Sequence, residues 1–235
     1  MTWKIILVWF LAYLIGAIPF GWMIVWQVKH IDIRYHASGR MGMSNVLRTA
    51  GTFWGILSGV LDVAKGFFAI YVVRWILPDC KSWVIAIAGV LCILGHIYSV
   101  FVIERRRDNR IYFRGGAGGL TSIGVSMGIW LPIFFYIAPA TLILYVMVGY
   151  ASIPTALFNL FGAIGFAVEA IKGNSSYWWY VGYSLCALAL VCWSLRPNFK
   201  RLFRGEERKT SLRIHWKKEK DQPDPDSKTD DSPKS

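Results

Sequence analysis

Four glycines around one alanine, Gly115-Gly116-Ala117-Gly118-Gly119, stand directly before an apolar segment that begins near Leu120. The N–H groups of such a loop, together with the free N–H groups and the dipole of a following helix, favour an anion. The run is not a P-loop, because no Gly-Lys-Ser/Thr follows at the required spacing, and no strand precedes it as a dinucleotide fingerprint requires. It predicts a phosphate site, and close helix packing or flexibility is the alternative interpretation.

A second unusual segment is "HASGRMGMSNVLRTAG", residues 36–51, which lies between two apolar segments. Closely spaced glycine and serine expose backbone N–H groups, and arginine adds charge-assisted hydrogen bonds, a combination that suits a phosphate. On spacing alone, a structured turn with arginines that extend to the membrane surface is an equally good interpretation. The candidate ligands here are Ser38, Gly39, Arg40, Gly42, Asn45 and Arg48.

The third segment, "RPNFKRLFRGEERK" at residues 196–209, follows the last apolar segment. As a helix it would be amphipathic, with Phe199, Leu202 and Phe203 towards lipid and the basic residues towards water. An ordinary basic helix at a membrane exit explains most of this pattern. It does not explain Asn198 or Glu207.

Ionisable side chains also occur inside two apolar segments. Asp62 and Lys65 are three residues apart and therefore share a helix face. Because charges in a membrane are costly unless they are paired, the sequence predicts a structural ion pair, with a proton or ion pathway as the alternative. His96 lies near the end of another segment, towards the glycine run, where a hydrogen-bonded structural role and a catalytic role both stay open.

The elements that must position these residues are membrane helices. The chain of 235 residues is 55% hydrophobic and only 17% charged, with a mean hydropathy of +0.42, and apolar runs of about 20 residues are long enough to cross a bilayer. Seven spans are predicted, the first being too long and too aromatic for a cleaved signal sequence. They cover residues 5–26, 52–77, 83–103, 120–130, 132–150, 153–170 and 177–195.

Basic residues give the chain a net charge of +12 and are concentrated in three places. Positive charge stays on the cytoplasmic side, so seven spans with an external N-terminus would bring all three clusters to one side. Binding to nucleic acid is not expected, because the charge flanks membrane spans. The clusters are Lys29, Arg34, Arg40 and Arg48; Arg105, Arg106, Arg107, Arg110 and Arg114; and Arg196, Lys200, Arg201, Arg204, Arg208 and Lys209.

The remaining sequence predicts little chemistry. The four cysteines have no metal-ligand spacing and are interpreted as small buried hydrophobes, and no metal is expected. Residues 1–209 are predicted to form one membrane domain. Residues 210–235 are predicted to be a disordered charged tail on the cytoplasmic side, since the part from Lys217 to Ser235 is charged and contains almost nothing apolar.

In this order, the motifs resemble the PlsY family of bacterial membrane glycerol-3-phosphate acyltransferases, which use acyl phosphate. The similarity runs through "LIGAIPFG", "IDIRYHASGRMGMSNVLRTAG", "LDVAKG", "LGHIYSVF", "FRGGAGGLTSIG", "YASI" and "RPNFKRLFRGEERK", and so covers residues 14–209. The resemblance implies an all-α bundle of seven membrane helices in the cell (inner) membrane, with a cytoplasmic-side active site.

The resemblance also implies a reaction, the transfer of an acyl group from acyl phosphate to the sn-1 hydroxyl of glycerol 3-phosphate. The products would be lysophosphatidic acid and phosphate, in phospholipid biosynthesis. Both substrates carry phosphate and one carries a long acyl chain, so two anion sites that open to membrane lipid are needed. No cofactor is implied. Acyl phosphate is already activated, so direct attack needs only positioning and charge stabilisation.

By analogy with the family, the glycine loop would hold the phosphate of acyl phosphate, and Ser38, Arg48 and the C-terminal polar residues would hold glycerol 3-phosphate. Four family positions differ: Arg40 replaces Asn, Ala117 replaces Lys, Gly149 replaces Arg and Leu195 replaces His. Arg40 and Arg114 are candidate replacements for the missing lysine. The positions that match the family motifs are Ser38, Gly39, Gly42, Asn45, Arg48, Gly115, Gly116, Gly118, Ser152, Arg196, Asn198 and Glu207.

Other functions stay open at this point. No histidine is followed five residues later by aspartate, so the His-x4-Asp pair of acyltransferases that use coenzyme A or carrier protein is missing. A divergent paralogue with lost activity, or with another donor or acceptor, is the first alternative. A small anion or lipid transporter that uses Asp62 and Lys65 is the second, although no inverted repeat is visible.

Overall fold

A computed structural model of the chain describes residues 2–105, 111–148 and 152–204. Glu207, Gly149 and the predicted tail at 210–235 lie outside these ranges, as do Arg106, Arg107, Arg110, Arg208 and Lys209. The described part is mostly helical. Its helices are α1 (Thr2–Ala17), α2 (Phe20–Lys29), α3 (Met43–Ala50), α4 (Thr52–Ile76), α5 (Ser82–Ile97), α6 (Gly119–Ile129), α7 (Pro132–Val148), α8 (Ser152–Ile171) and α9 (Trp178–Phe203).

Four helical segments in the described ranges are long and apolar enough to cross a membrane, judged by length and composition. They are Thr2–Lys29, which contains α1 and α2, Thr52–Ile76, Ser152–Ile171 and Ser175–Phe203. Three shorter apolar helices, Ser82–Ile97, Gly119–Ile129 and Pro132–Leu144, accompany them. Together these seven apolar segments correspond one to one to the segments that the sequence predicts.

The first apolar segment is broken where the sequence has Ile18-Pro19. α1 ends at Ala17 and α2 begins at Phe20, so the expected continuous helix over residues 5–26 is wrong at this point. Pro19 has no N–H to continue a helical ladder, and the carbonyl groups just before it are left without helical partners. These carbonyls become acceptors for residues of other helices.

The segment after α5 also differs from the prediction. α5 ends at Ile97 rather than near residue 103, and a short antiparallel hairpin follows, β1 (Ile103–Arg105) and β2 (Ile111–Phe113). Ile103 pairs with Phe113 and Arg105 with Ile111. The expectation of an all-α chain therefore misses two three-residue strands, which are too short to give a recognisable alternation of apolar and polar residues.

Small residues let the helix backbones approach closely. A Cβ added to Gly66 of α4 would overlap the carbonyl oxygen of Thr121 on α6, and one added to Gly124 of α6 would overlap the carbonyl of Val63. α1 and α5 meet in the same way, because a Cβ on Gly16 would overlap the Cys92 carbonyl. Close contact of small residues is the usual basis of helix association in lipid.

The bundle has two ends with different contents. We call residues 30–42, 98–105, 111–118 and 194–204 the loop end, where α5 and α9 finish and α6 begins. We call residues 74–81, 129–131 and 166–180 the aromatic end, because Trp130 packs there against Phe166 and Tyr177 with ring centroids 6.4 and 5.8 Å apart. Among the described residues, most of the predicted site residues lie at the loop end or in the helical turns next to it.

Candidate active site

Asn45 organises the loop that precedes α3. Its side-chain amide donates to the carbonyl oxygens of His36, at 3.1 Å, and Arg40, at 2.7 Å, and its Oδ1 accepts the N–H of Ser38 at 3.4 Å. Asn45 is buried, with 2% of its surface exposed. The amide is therefore used to shape the first loop, and the Ser38 side chain, half-buried beside it, is held at the loop surface.

The start of the same loop is fixed by an ion pair. Asp32 accepts the backbone N–H of Arg34 at 3.0 Å and three guanidinium hydrogen bonds from the same residue, the shortest at 2.6 Å. These hydrogen bonds and the charge of Arg34 lower the pKa of the Asp32 carboxyl below its usual range. Arg34 also donates to the carbonyl of Ile103 at 3.2 Å and so ties the first loop to β1.

The glycine loop is packed directly on the end of α5. The Gly116 N–H donates to the carbonyl of His96 at 3.0 Å, and a Cβ on Gly116 would overlap the imidazole of the same histidine. A Cβ on Gly115 would overlap the carbonyls of His96 and Ile97. Close packing therefore accounts for two of the glycines, and the Gly116 N–H is already used inside the protein.

The anion-attracting part of the loop is the start of α6. Gly118 adopts φ = 89°, in the left-handed region, and precedes the first residue of the helix with no side chain to cap it. The first intrahelical bond runs from the Ser122 N–H to the Gly118 carbonyl at 2.9 Å. The N–H groups of residues 119–121 thus have no intrahelical acceptor, which is the arrangement predicted from the glycine run.

Three segments of the loop end are joined by hydrogen bonds into a closed triangle. The Met41 N–H donates to the Gly115 carbonyl at 3.3 Å. The guanidinium of Arg40 donates to the Ser194 carbonyl, and the Ser194 hydroxyl donates to the Gly116 carbonyl at 3.4 Å. The first loop, the glycine loop and the end of α9 therefore come together, as the predicted site requires.

Positive charge at this triangle comes from Arg40. Burial, and next the nearby charge of Arg201, lower the pKa of the Arg40 guanidinium, and no carboxylate of the described residues forms an ion pair with it. Arg114, the other candidate to replace the missing lysine, forms an ion pair with Glu104 at 2.7 Å. Arg114 is thus committed to the hairpin, and Arg40 is the better-placed cation.

Beneath the glycine loop lies a buried ionic cluster. Lys65 Nζ is 2.8 Å from Asp62 Oδ1, the ion pair expected from the sequence, and it also donates to the free carbonyl of Ile18 at 2.8 Å. His96 joins this pair, with its Nδ1 3.6 Å from Asp62 Oδ1. The sequence pattern does not connect His96 with the Asp62–Lys65 pair, whereas the structure places His96 in direct contact with both this pair and the glycine loop.

The remaining predicted residues lie on or next to α3, α8 and α9. Arg48 is half-buried in the last turn of α3, and Ser152 is fully buried at the first turn of α8. Arg196 is exposed, and its guanidinium stacks 3.6 Å from the ring centroid of Trp193. Asn198 is half-buried and accepts a hydrogen bond from Arg201 at 3.2 Å. Gly42 is the residue that precedes α3.

α9 continues through the C-terminal motif as one helix to Phe203. The amphipathic segment predicted for residues 196–209 is therefore, as far as the structure describes it, an extension of the last membrane helix. Phe203 is strongly exposed, whereas Phe199 and Leu202 are half-buried.

Sequence reasoning missed Ser194 and the carbonyl of Ile18. Ser194 is an ordinary small residue in an apolar segment, and nothing in its neighbours distinguishes it. Ile18 contributes only its backbone, so no side-chain pattern reveals it. The one available signal was Pro19, which predicts unpaired carbonyls just before it.

This chain matches the family model described as glycerol-3-phosphate acyltransferase over residues 6–205. A protein named glycerol-3-phosphate acyltransferase from Thermosipho melanesiensis is 31% identical over 208 residues, which are 86% of this chain and 91% of the relative. The protein of the same name from Halalkalibacterium halodurans is 32% identical over 204 residues, with 84% and 91% covered.

Two solved structures are also similar. One is a crystal structure of PlsY (YgiH), an integral membrane glycerol 3-phosphate acyltransferase, in its glycerol 3-phosphate form, with a TM-score of 0.73 and 27% identity. The other is the lysophosphatidic acid form, with a TM-score of 0.71 and 26% identity. Each comparison covers 87% of this chain and 94% of the solved chain.

Proposed function

The chain belongs to the glycerol-3-phosphate acyltransferase family, integral membrane acyltransferases of lipid biosynthesis, and on that premise we propose a specific reaction for it. It transfers an acyl group from acyl phosphate to the sn-1 hydroxyl of glycerol 3-phosphate. The products are lysophosphatidic acid and inorganic phosphate. The acceptor and product are supported by the similar PlsY structures, which are described as glycerol 3-phosphate and lysophosphatidic acid forms.

The observation that carries the proposal is the hydrogen-bonded triangle at the loop end. It brings the uncapped start of α6 next to Arg40, and so combines free N–H groups with a cation that has no anionic partner in the described residues. Such a combination attracts a phosphate. Two phosphate-bearing substrates require this chemistry, whereas an apolar membrane bundle by itself does not.

The chemical step needs no nucleophile from the protein. The sn-1 oxygen attacks the acyl carbon and forms the ester bond, while the bond from that carbon to the phosphate oxygen breaks. The phosphate leaves with the bonding electrons, and the hydroxyl proton passes to the released phosphate. The protein supplies orientation and stabilises the negative charge on the acyl oxygen and the departing phosphate.

Residue roles follow from this placement. The start of α6, shaped by Gly115, Gly116 and Gly118, holds the phosphate of the donor. Arg40 supplies the positive charge that the family's lysine would supply at Ala117, because Arg114 is engaged by Glu104. The acceptor phosphate is assigned to the surrounding residues Ser38, Arg48, Ser152, Arg196, Asn198 and Glu207, with Gly39, Gly42 and Asn45 setting the shape of the first loop.

The proposed setting is the cell (inner) membrane. The seven apolar helical segments each cross it, the N-terminus is external, and the loop end faces the cytoplasm, where the basic residues of the loops are retained. Residues 1–209 form the catalytic domain and residues 210–235 a charged tail. A tag at the N-terminus should then be accessible only from outside and one at the C-terminus only from inside; both on one side would contradict seven spans.

The test is a donor comparison on the purified full-length protein in detergent. Palmitoyl phosphate and labelled glycerol 3-phosphate should give labelled lysophosphatidic acid and an equal amount of inorganic phosphate. Palmitoyl-coenzyme A and palmitoyl carrier protein should give no product without an acyl-phosphate source, because the His-x4-Asp motif is missing. Direct turnover of either thioester would overturn the proposed donor.

A second candidate is a divergent paralogue that binds these substrates without turnover. It is favoured by Ala117, which offers no charge, and by Leu195, which is buried in α9 where the family has histidine. Binding of glycerol 3-phosphate to the wild-type protein, with no product from palmitoyl phosphate, would select this candidate.

A further inference from the structure

The backbone of Gly116 packs directly against His96. The Gly116 N–H donates to the His96 carbonyl at 3.0 Å. A Cβ built on Gly116 would overlap Nε2 of the same imidazole and lie 2.7 Å from its Cε1. The imidazole therefore lies directly beneath the backbone of the glycine loop. It limits how closely this loop can approach α5.

The imidazole is itself held by groups that do not move freely. Asp62 Oδ1 lies 3.6 Å from His96 Nδ1, a charge contact longer than a hydrogen bond, and 2.8 Å from Lys65 Nζ. Lys65 is anchored in turn to the Ile18 carbonyl at the break between α1 and α2. All three side chains are buried, with 2 to 7% of their surface exposed.

A very small cavity of about 10 Å³, room for roughly one water molecule, lies at this junction. Its lining includes Lys65, His96 and Ser99 together with Gly115 and Gly116. The underside of the glycine loop therefore rests on the imidazole at one point and borders empty space beside it. Removing the imidazole would enlarge this space and leave the loop without its support.

We infer that His96 is a positioning residue, and that Gly116 lacks a side chain because His96 occupies the space beneath it. The inference rests on the proposed function, since it concerns the N–H groups at the start of α6 that would hold the donor phosphate. In this arrangement, His96 fixes the position of these N–H groups relative to Arg40. Asp62 and Lys65 fix His96, and so the break in the first span is coupled to the site through three side chains.

A rival explanation for the glycine at position 116 is that the phosphate itself approaches so closely that no side chain fits. The two explanations predict opposite results for a pair of substitutions. If the phosphate excludes the side chain, removing the imidazole cannot help Gly116→Ala. If His96 excludes it, the double variant Gly116→Ala/His96→Ala gains the room that the new methyl group needs.

The experiment measures turnover of palmitoyl phosphate and thermal unfolding for the wild type, both single variants and the double variant. Because misplacement by about 1 Å can cost roughly 100-fold in rate, Gly116→Ala should lose about 100-fold or more and His96→Ala about tenfold. The double variant should return to about the level of His96→Ala. A double variant no more active than Gly116→Ala would overturn the inference.

A second readout separates positioning from general stability. His96→Ala should raise KM for palmitoyl phosphate and lower kcat, with KM for glycerol 3-phosphate unchanged, and His96→Gln should recover part of the loss by refilling the space. Unchanged KM values with only a lower unfolding temperature would reduce His96 to a structural residue. Gly182→Ala is the matched control, since no atom lies within 4 Å of its added Cβ, and it should behave as wild type.

The unfolding data keep this test independent of the reaction. The same recovery in the double variant is expected in unfolding temperature, because the overlap between the added methyl group and the imidazole exists without substrate. Absence of acyl transfer in the wild-type protein, with recovery in unfolding temperature, would reject the proposed function and retain the contact. Acyl transfer by the wild-type protein, without recovery of either turnover or unfolding temperature in the double variant, would retain the proposed function and reject the inference about His96.

Discussion

The loop end and the aromatic end of the bundle are held together by different kinds of contact. At the loop end, main-chain groups meet each other and buried side chains, as in the bonds from Met41 to Gly115 and from Arg40 to Ser194. At the aromatic end, rings meet rings, and Tyr177 packs edge-on against Tyr180 with centroids 5.4 Å apart. Hydrogen bonds join distant segments at the loop end, whereas ring packing is prominent at the aromatic end, beside the hydrogen bond from Arg74 to the Ile129 carbonyl.

This difference indicates where the molecule tolerates change. Contacts between rings weaken gradually when a ring is altered, because the energy is spread over many atoms. A backbone contact between a glycine and an imidazole is lost or distorted at once, since there is no space for an added atom. Substitutions at the loop end should therefore be more damaging than matched substitutions at the aromatic end.

The largest difference is expected for buried charge. Asp62→Asn leaves Lys65 without its counterion inside the bundle and should destabilise the protein by about 3–5 kcal/mol. Arg74→Gln at the aromatic end removes a 2.7 Å hydrogen bond to the Ile129 carbonyl and should cost only about 1–3 kcal/mol. Thermal unfolding in detergent measures both. The double variant Asp62→Asn/Lys65→Gln should recover most of the loss, and equal destabilisation by Asp62→Asn and Arg74→Gln would break the comparison.

Two glycines with positive φ provide the next test. Gly118 has φ = 89° at the loop end and Gly173 has φ = 109° at the aromatic end, so alanine at either position strains the backbone by about 1–2 kcal/mol. Only Gly118→Ala shifts the start of α6, and it should lose about 100-fold in turnover. Gly173→Ala should keep its activity to within about twofold, and similar activity in the two variants would contradict a site at α6.

Arg40 tests which charge serves the donor phosphate. Arg40→Gln should lower kcat/KM for palmitoyl phosphate by about 10- to 100-fold, the effect of one charge-assisted contact. Adding Ala117→Lys to that variant should restore part of the rate, whereas Arg114→Gln should have a smaller effect. Lys172→Gln at the aromatic end is the control and should leave the rate unchanged. Full activity of Arg40→Gln would remove Arg40 from the site.

The smallest effect concerns an ion pair at each end. The folded-state pKa of Asp32 is lowered by Arg34, so its stabilisation is present above the unfolded pKa of about 3.9 and is lost as the pH falls through the folded value. Asp32→Asn should therefore lower stability by about 1 kcal/mol at pH 7 and by much less near pH 3. Glu169→Gln, which breaks the exposed pair with Lys172, should leave the unfolding temperature unchanged at either pH, because water and salt screen an exposed pair. Unfolding temperatures at both pH values decide the comparison.

The features that could be predicted are those carried by one local segment. The glycine run predicts both the position of α6 and its uncapped start. The spacing of Asp62 and Lys65 predicts an ion pair. The break between α6 and α7 at Leu131-Pro132 was also predicted, because the apolar region is too long for one span and is interrupted there by a proline; Pro132 is the first residue of α7, a position that proline favours. In each case the cause and the structural result lie within a few residues of each other.

The features that could not be predicted depend on distant partners. Glycine at position 116 indicates that something approaches closely, but the sequence does not say that the neighbour is the His96 imidazole. The sequence makes Arg114 a candidate for the site, but it does not show that Arg114 pairs with Glu104 across the hairpin. Ser194 meets Gly116 across 78 residues of chain, a contact with no local signal.

The break between α1 and α2 has a consequence for the order in which the protein is made. This segment is synthesised first, and it carries carbonyl groups at Ala17 and Ile18 that lipid cannot satisfy. Their partners, the hydroxyl of Ser99 at 2.6 Å and the ammonium of Lys65 at 2.8 Å, are translated only later. The carbonyl groups at the break between α1 and α2 can therefore reach these partners only after α4 and the end of α5 have been synthesised. We expect that the loop end assembles only after α1 and α2 have packed against α4 and α5.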